Sequence, residues 1–259
     1  MTSLGATCPD NAGLLQAILA RPDVWRGDAL AAAPLPGVAT GFAALDAELP
    51  GGGWPRGGLV ELLLAQSGIG ELSLLMPALA SLSLNERAWI ACIAPPQPLF
   101  APAWASAGVN LAQLVVTRAG IGDAAWACAR VLDTTGVGAL LAWLPACPGN
   151  TLRRLQILAE RGRTLAFVMR PAHCADQPSP APLRLRLDAG PEKHRPAGYR
   201  SLAVQVLKRR GGAQTAVLHL GLPRLRPERS VAPALSGFGD APVDQTHALA
   251  GPALSAPCA

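Results

Sequence analysis

The chain has almost no lysine: of its 22 basic residues only Lys193 and Lys208 are lysines, and the rest are arginines. A bias that strong can come from base composition, so it is not read as function. Charge of either sign is scarce as well, at 15% of the 259 residues, while half are hydrophobic. That balance excludes a wholly disordered chain and a coiled coil, and leaves enough apolar material for one well-cored domain. Six cysteines occur singly, without a C-x-x-C pair and without metal-type spacing to the four histidines. A zinc site is therefore not expected, and the thiols read as buried and reduced in a cytoplasmic protein. Neither G-x-S-x-G nor H-E-x-x-H occurs, which argues against hydrolase and metalloenzyme chemistry. No long hydrophobic run survives intact. The longest uncharged stretch, residues 88–117, is broken by Pro95, Pro96, Pro98 and Pro102, so no membrane span is expected. The first residues lack a basic segment, and no signal peptide is expected. Glycine and proline, 27 and 25 residues, show no period. That excludes collagen and points to proline-rich ends.

What charge there is lies unevenly. Residues 1–150 hold six basic and ten acidic side chains, residues 151–230 hold sixteen and five, and residues 231–259 hold two aspartates only. The basic block is either a surface for a polyanion or acidic partner, or a solubilising face.

Apolar periodicity divides the chain into three parts. Residues 1–39 form an N-terminal helical arm, with a short helix capped by Asn11 and an irregular stretch that includes Trp25. From residue 40 to 226 the pattern alternates strand and helix. Apolar runs of strand length are expected at 59–64, 88–94, 114–117, 138–144 and 165–169, and helices at 71–84, 123–133 and 151–162, the last capped by Thr151. Strands apolar on both faces and separated by helices imply a mostly parallel sheet covered on two sides. Beyond Pro171 the period becomes two, and residues 201–207 and 215–220 flank Gly211-Gly212 as an antiparallel C-terminal hairpin. Residues 227–259 are rich in proline and alanine and read as a disordered tail.

Function is most legible between residues 40 and 84. A glycine turn, a strand, a second glycine-bearing turn and a long helix form the usual phosphate-binding arrangement, in which backbone N–H groups and a helix N-terminus attract an anion. A working P-loop requires G-x-x-x-x-G-K-[ST]. Here Gly68 and Gly70 shape the turn, but Glu71 takes the lysine position and Leu72 the hydroxyl position. A cation that would hold phosphate is replaced by a carboxylate that repels it, and a magnesium ligand is lost. The strand at 138–144, where a magnesium-binding aspartate would end a Walker B segment, contains no acid. No nucleotide cofactor, no metal and no catalytic residue are expected. The bland alternative is that Gly68 and Gly70 only shape a turn.

The segments Thr40-Gly41…Leu45-Asp46, Gly51-Gly52-Gly53-Trp54-Pro55 and the strand 59–62, in that order, resemble the lead-in of RecA-type cores. Together with Val24-Trp25-Arg26-Gly27, residues 68–75 and Leu207-Lys208-Arg209-Arg210-Gly211-Gly212, they resemble the ImuA family over about residues 11–222. That resemblance implies a RecA-like α/β core of the P-loop NTPase type and a non-catalytic accessory role in SOS-induced mutagenic translesion synthesis. It implies partners too: an ImuB-type polymerase-like protein of the Y family, an error-prone DNA polymerase, and RecA. Such chains are often called SulA-like. The alternatives are a RecA-like ATPase in DNA repair and a cell-division inhibitor.

Lys208, Arg209 and Arg210 at a hairpin turn, with Arg153 and Arg154 on a nearby helix, are the candidate contacts to DNA or an acidic partner; a solvated rim is the alternative. Trp25 and Trp54 are candidate interface anchors, whereas Trp89, Trp104, Trp126 and Trp143 are read as core.

Overall fold

The computed structural model describes residues 37–191, 198–209 and 216–223. The helix expected after Asn11, the arm with Trp25, Arg210 with the Gly211-Gly212 turn, and the tail lie outside these residues. A short helix α1 (Ala43–Glu48) leads through a glycine turn into strand β1 (Gly58–Leu64). Then follow α2 (Glu71–Asn85), β2 (Trp89–Ile93), α3 (Ala101–Ser106), β3 (Leu114–Thr117), α4 (Ile121–Leu132), β4 (Val137–Trp143), α5 (Gly149–Gly162) and β5 (Leu165–Pro171). A 3-10 turn (Ala172–Cys174), β6 (Leu183–Ala189), β7 (Tyr199–Lys208) and β8 (Leu218–Pro223) complete the order.

The eight strands form one sheet in the order β3-β2-β4-β5-β1-β6-β7-β8. β1 to β6 run parallel to their neighbours, and β7 and β8 add antiparallel. The α/β alternation and the antiparallel C-terminal strands are as the sequence predicts. Parallel strands need crossovers, and the helices supply them in two layers. α1, α2 and α3 pack on one face through Leu45, Leu74, Leu75, Leu79 and Trp104. α4 and α5 cover the other through Ala124, Cys128, Leu132, Leu152, Leu155 and Ala159. Because the helix after β1 and the helix after β4 lie on opposite faces, a crevice opens at the carboxyl ends of the strands, where open α/β sheets bind ligands. No described helix is long and apolar enough to cross a membrane.

Three expectations change. Trp54 is no surface anchor: it is fully buried, its backbone bridges Val38, and its ring meets Phe167 edge-on with centroids 5.2 Å apart. The glycine turn brings the indole down onto β5 instead of out to solvent. Trp126 is not core but 64% exposed on α4, and Trp89, at the start of β2, is 43% exposed. Thr151 does not cap α5. The helix starts two residues earlier at Gly149 with Pro148 at the N-cap, because the fixed φ of proline suits the entry to a helix.

Candidate functional site

The loop that joins β1 to α2 is built around glycine. Gly68 and Gly70 have φ of +81° and +123°, a region that side chains avoid. A Cβ at Gly70 would also stand 2.7 Å from Leu222 Cδ1. This geometry turns the backbone N–H groups inward as in an anion nest. The nest is occupied from within. Glu71, 5% exposed, folds back so that Oε1 accepts from the Gly68 N–H at 2.8 Å and Oε2 from the Gly70 N–H at 3.0 Å. The carboxylate therefore sits at the positive end of α2 as a built-in anion. From β7, Arg200 donates to the Gly68 carbonyl and fixes the outer side of the turn. Leu72 is half-buried and packs against the core beneath.

The crevice beside this loop has a volume of about 440 Å³ and is walled mainly by apolar side chains, among them Leu64, Ala94, Trp143, Leu144 and Met169. β4 ends in Trp143, and Leu144 follows it, both on the crevice wall. Among the described residues no group of three or more His, Cys, Asp or Glu is placed to hold a metal ion.

A second cluster has no counterpart in the sequence reading. Glu61, at the centre of β1, is fully buried. Its Oε1 accepts from Arg170 Nη1 of β5 at 2.8 Å and its Oε2 from Arg184 Nε of β6 at 2.6 Å. Arg184 also donates to the carbonyls of Cys174 and Ala175, and so ties the turn after β5 to the sheet. Arg170 Nη2 donates to the Cys147 carbonyl and to Gln177, while Arg170 Nε is buried without an acceptor. One carboxylate shared by two guanidinium groups leaves the cluster with one net positive charge. The available signal was a lone acid inside the apolar run of β1, which burial obliges to find a partner. Close by, burial pushes the Cys147 thiol up despite the neighbouring Arg170, so it stays neutral.

The candidate cations divide between elements. Arg153 and Arg154 are exposed on α5. Lys208 ends β7 and donates to the Ser179 carbonyl at 2.9 Å, and Arg209 pairs with Glu48 of α1 at 2.9 Å. The two basic pairs thus belong to different parts of the sheet, and Lys208 and Arg209 both have internal partners.

The chain is 30% identical over 112 residues to the cell division inhibitor SulA of Photorhabdus laumondii subsp. laumondii. The match covers 43% of this chain and 63% of that protein. No protein-family model matches the chain.

Proposed function

We propose that this protein is a non-catalytic, RecA-like adaptor of SOS-induced mutagenic translesion DNA synthesis, working with an ImuB-type polymerase-like partner and an error-prone polymerase. The observation that carries the non-catalytic part is Glu71, whose carboxylate takes two amides of the loop where a nucleotide phosphate would need donors. A triphosphate entering there would have to displace a buried, hydrogen-bonded anion and would meet no lysine in return. The RecA-like part is supported by a central β1 that leads through a glycine loop into α2 at the carboxyl edge of a parallel sheet. Contact with RecA and with DNA belongs to the same proposal, through Arg153, Arg154, Lys208, Arg209, Arg210 and the arm bearing Trp25.

Titration of the purified chain with a fluorescent ATP analogue and magnesium tests the first part: no micromolar binding and no turnover are expected, and turnover would overturn it. Co-purification with the polymerase-like partner, lost on truncation after about Gly190, tests the second.

The likeness to SulA favours one other reading, inhibition of cell division. Expression in cells without the polymerase-like partner separates the two. Filamentation would support the division reading, and normal division with loss of damage-induced mutagenesis on deletion would support the adaptor.

A further inference from the structure

α4 and α5 pack side by side on one face of the sheet, and both start at its carboxyl edge. Each buries one stripe and turns another to solvent. α4 buries Ala124, Cys128 and Leu132, so Trp126, about 200° around the helix from Ala124, points outward. Arg130, one turn on, is exposed beside it. α5 buries Leu152, Leu155 and Ala159, and it exposes Arg153, Arg154, Ile157 and Arg161. Trp126 and Arg154 each lie in the second turn of their helix, and Arg130 and Ile157 each in the third. None of the four arginines has a carboxylate partner among the described residues. From residue 134 to 163 the chain carries four arginines and a single acid, Glu160. Its Oε1 accepts from Gln156, which is itself tied to Leu59 of β1 and so lies off the outward face. An exposed indole and an exposed isoleucine set among unpaired guanidinium groups make an apolar anchor with a positive rim.

We propose that the outward face of α4 and α5 docks an acidic amphipathic helix of a partner protein. The apolar stripe of that helix covers Trp126 and Ile157, and its carboxylates meet the four arginines. Charge decides the sign of the occupant, and the apolar pair decides its class. A nucleic-acid strand is held by aromatic side chains in series on which bases stack, and here one indole stands alone. Ile157 gives a phosphate no donor. Asp123 and Asp133, exposed at the two ends of α4, repel a continuous phosphate backbone but leave space for a short segment between them. The inference rests on the reading of Arg153 and Arg154 as partner contacts. It does not depend on the nucleotide reading, so its failure and turnover of an ATP analogue are separate results.

The test is fluorescence anisotropy of the full chain at low salt with a labelled synthetic peptide of about 18 residues, leucine on one helical stripe and glutamate elsewhere. Two further probes are a peptide of the same composition scrambled out of the stripe and a labelled oligothymidylate. The patterned peptide is expected to bind at least about tenfold more tightly than the scrambled one, and to weaken as salt rises. Trp126→Ala should weaken it at least about tenfold, and Arg154→Glu with Arg161→Glu by as much or more. Arg186→Ala, at an exposed arginine of β6 that pairs with Asp188, should leave binding at the parent value. All these side chains are exposed, so the variants keep the fold. Absence of peptide binding in the parent chain, unchanged binding in Trp126→Ala, or equal binding of the scrambled peptide would each overturn the assignment. So would tighter binding of the oligothymidylate that the same variants abolish, since nucleic acid would then be the occupant. A concentration-dependent dimer in sedimentation that Trp126→Ala dissolves would overturn it in favour of a second copy.

Discussion

α2 follows β1 and α5 follows β4, so both helices start at the carboxyl edge of the same parallel sheet. Their starts are electrically opposite. At α2 a glycine loop aims its amides inward, and Glu71 supplies the negative charge they call for. At α5 a proline enters the helix, no acid lies in the first turn, and the Asn150 side chain takes only the Thr151 N–H, while Arg170 donates to the Cys147 carbonyl just ahead of the helix. The difference teaches that a glutamate in the first turn of a helix can meet the donors of the glycine loop before it. The long side chain satisfies the donors itself, so the loop keeps its shape without any ligand. The other helix start has no such acid, and its only side-chain acceptor is the neutral Asn150 amide oxygen.

The largest way to break this contrast is to remove the acid that holds Arg170. Glu61→Ala leaves two guanidinium groups buried without their shared partner, and should cost about 3–5 kcal/mol in chemical denaturation. A loss below about 1 kcal/mol would mean that Arg170 and Arg184 find other partners. Next comes the α2 side. Glu71→Ala leaves the Gly68 and Gly70 amides without their charged acceptor and should cost about 2 kcal/mol. Glu71→Gln retains one acceptor oxygen and should cost clearly less. If both variants fold as stably as the parent, the carboxylate is not what shapes the loop.

The thiols sharpen the α5 side. A thiol before a helix N-terminus is often pulled down in pKa, but burial pushes Cys147 up, and pushes Cys92 and Cys128 up to about 12. A raised folded-state value means that these thiols favour folding while neutral. Stability should therefore hold below about pH 9, the ordinary thiol value, and fall as pH rises from there toward 12. Iodoacetamide at pH 8 should label Cys92, Cys128 and Cys147 far more slowly in the folded chain than in the unfolded one. Rapid labelling of Cys147 alone would place a thiolate at the α5 start and undo the contrast.

The sheet was legible in the sequence because each strand is a short apolar run between helix-length segments, and parallel strands demand crossovers. The glycine loop between β1 and α2 was legible too, since it rests on consecutive residues. The Glu61 cluster was not, because its partners lie 109 and 123 positions away and meet only through strand order. Glu71 was read as a repulsive charge, and its role as a cap depends on how far the loop bends back. Trp54 was misplaced because a glycine-rich turn suggests exposure, yet the bridge to Val38 presses the ring onto Phe167. Trp126 erred in the other direction: α4 turns Ala124, Cys128 and Leu132 inward and leaves the indole outside.

The finest test applies one chemical change to both helix starts. Neither Gly68 nor Gly149 has any atom within 4 Å of an added Cβ, so alanine is free of clashes at both. Their backbones differ: Gly68 has φ of +81°, and Gly149 is an ordinary helical position without positive φ. Gly68→Ala must hold a left-handed conformation at a cost of about 1–2 kcal/mol. Gly149→Ala loses only freedom in the unfolded chain and should gain about 0.4–1 kcal/mol. Thermal melts of the two variants should therefore move in opposite directions. If both melts fell alike, the left-handed backbone at Gly68 would not be what sets the two helix starts apart.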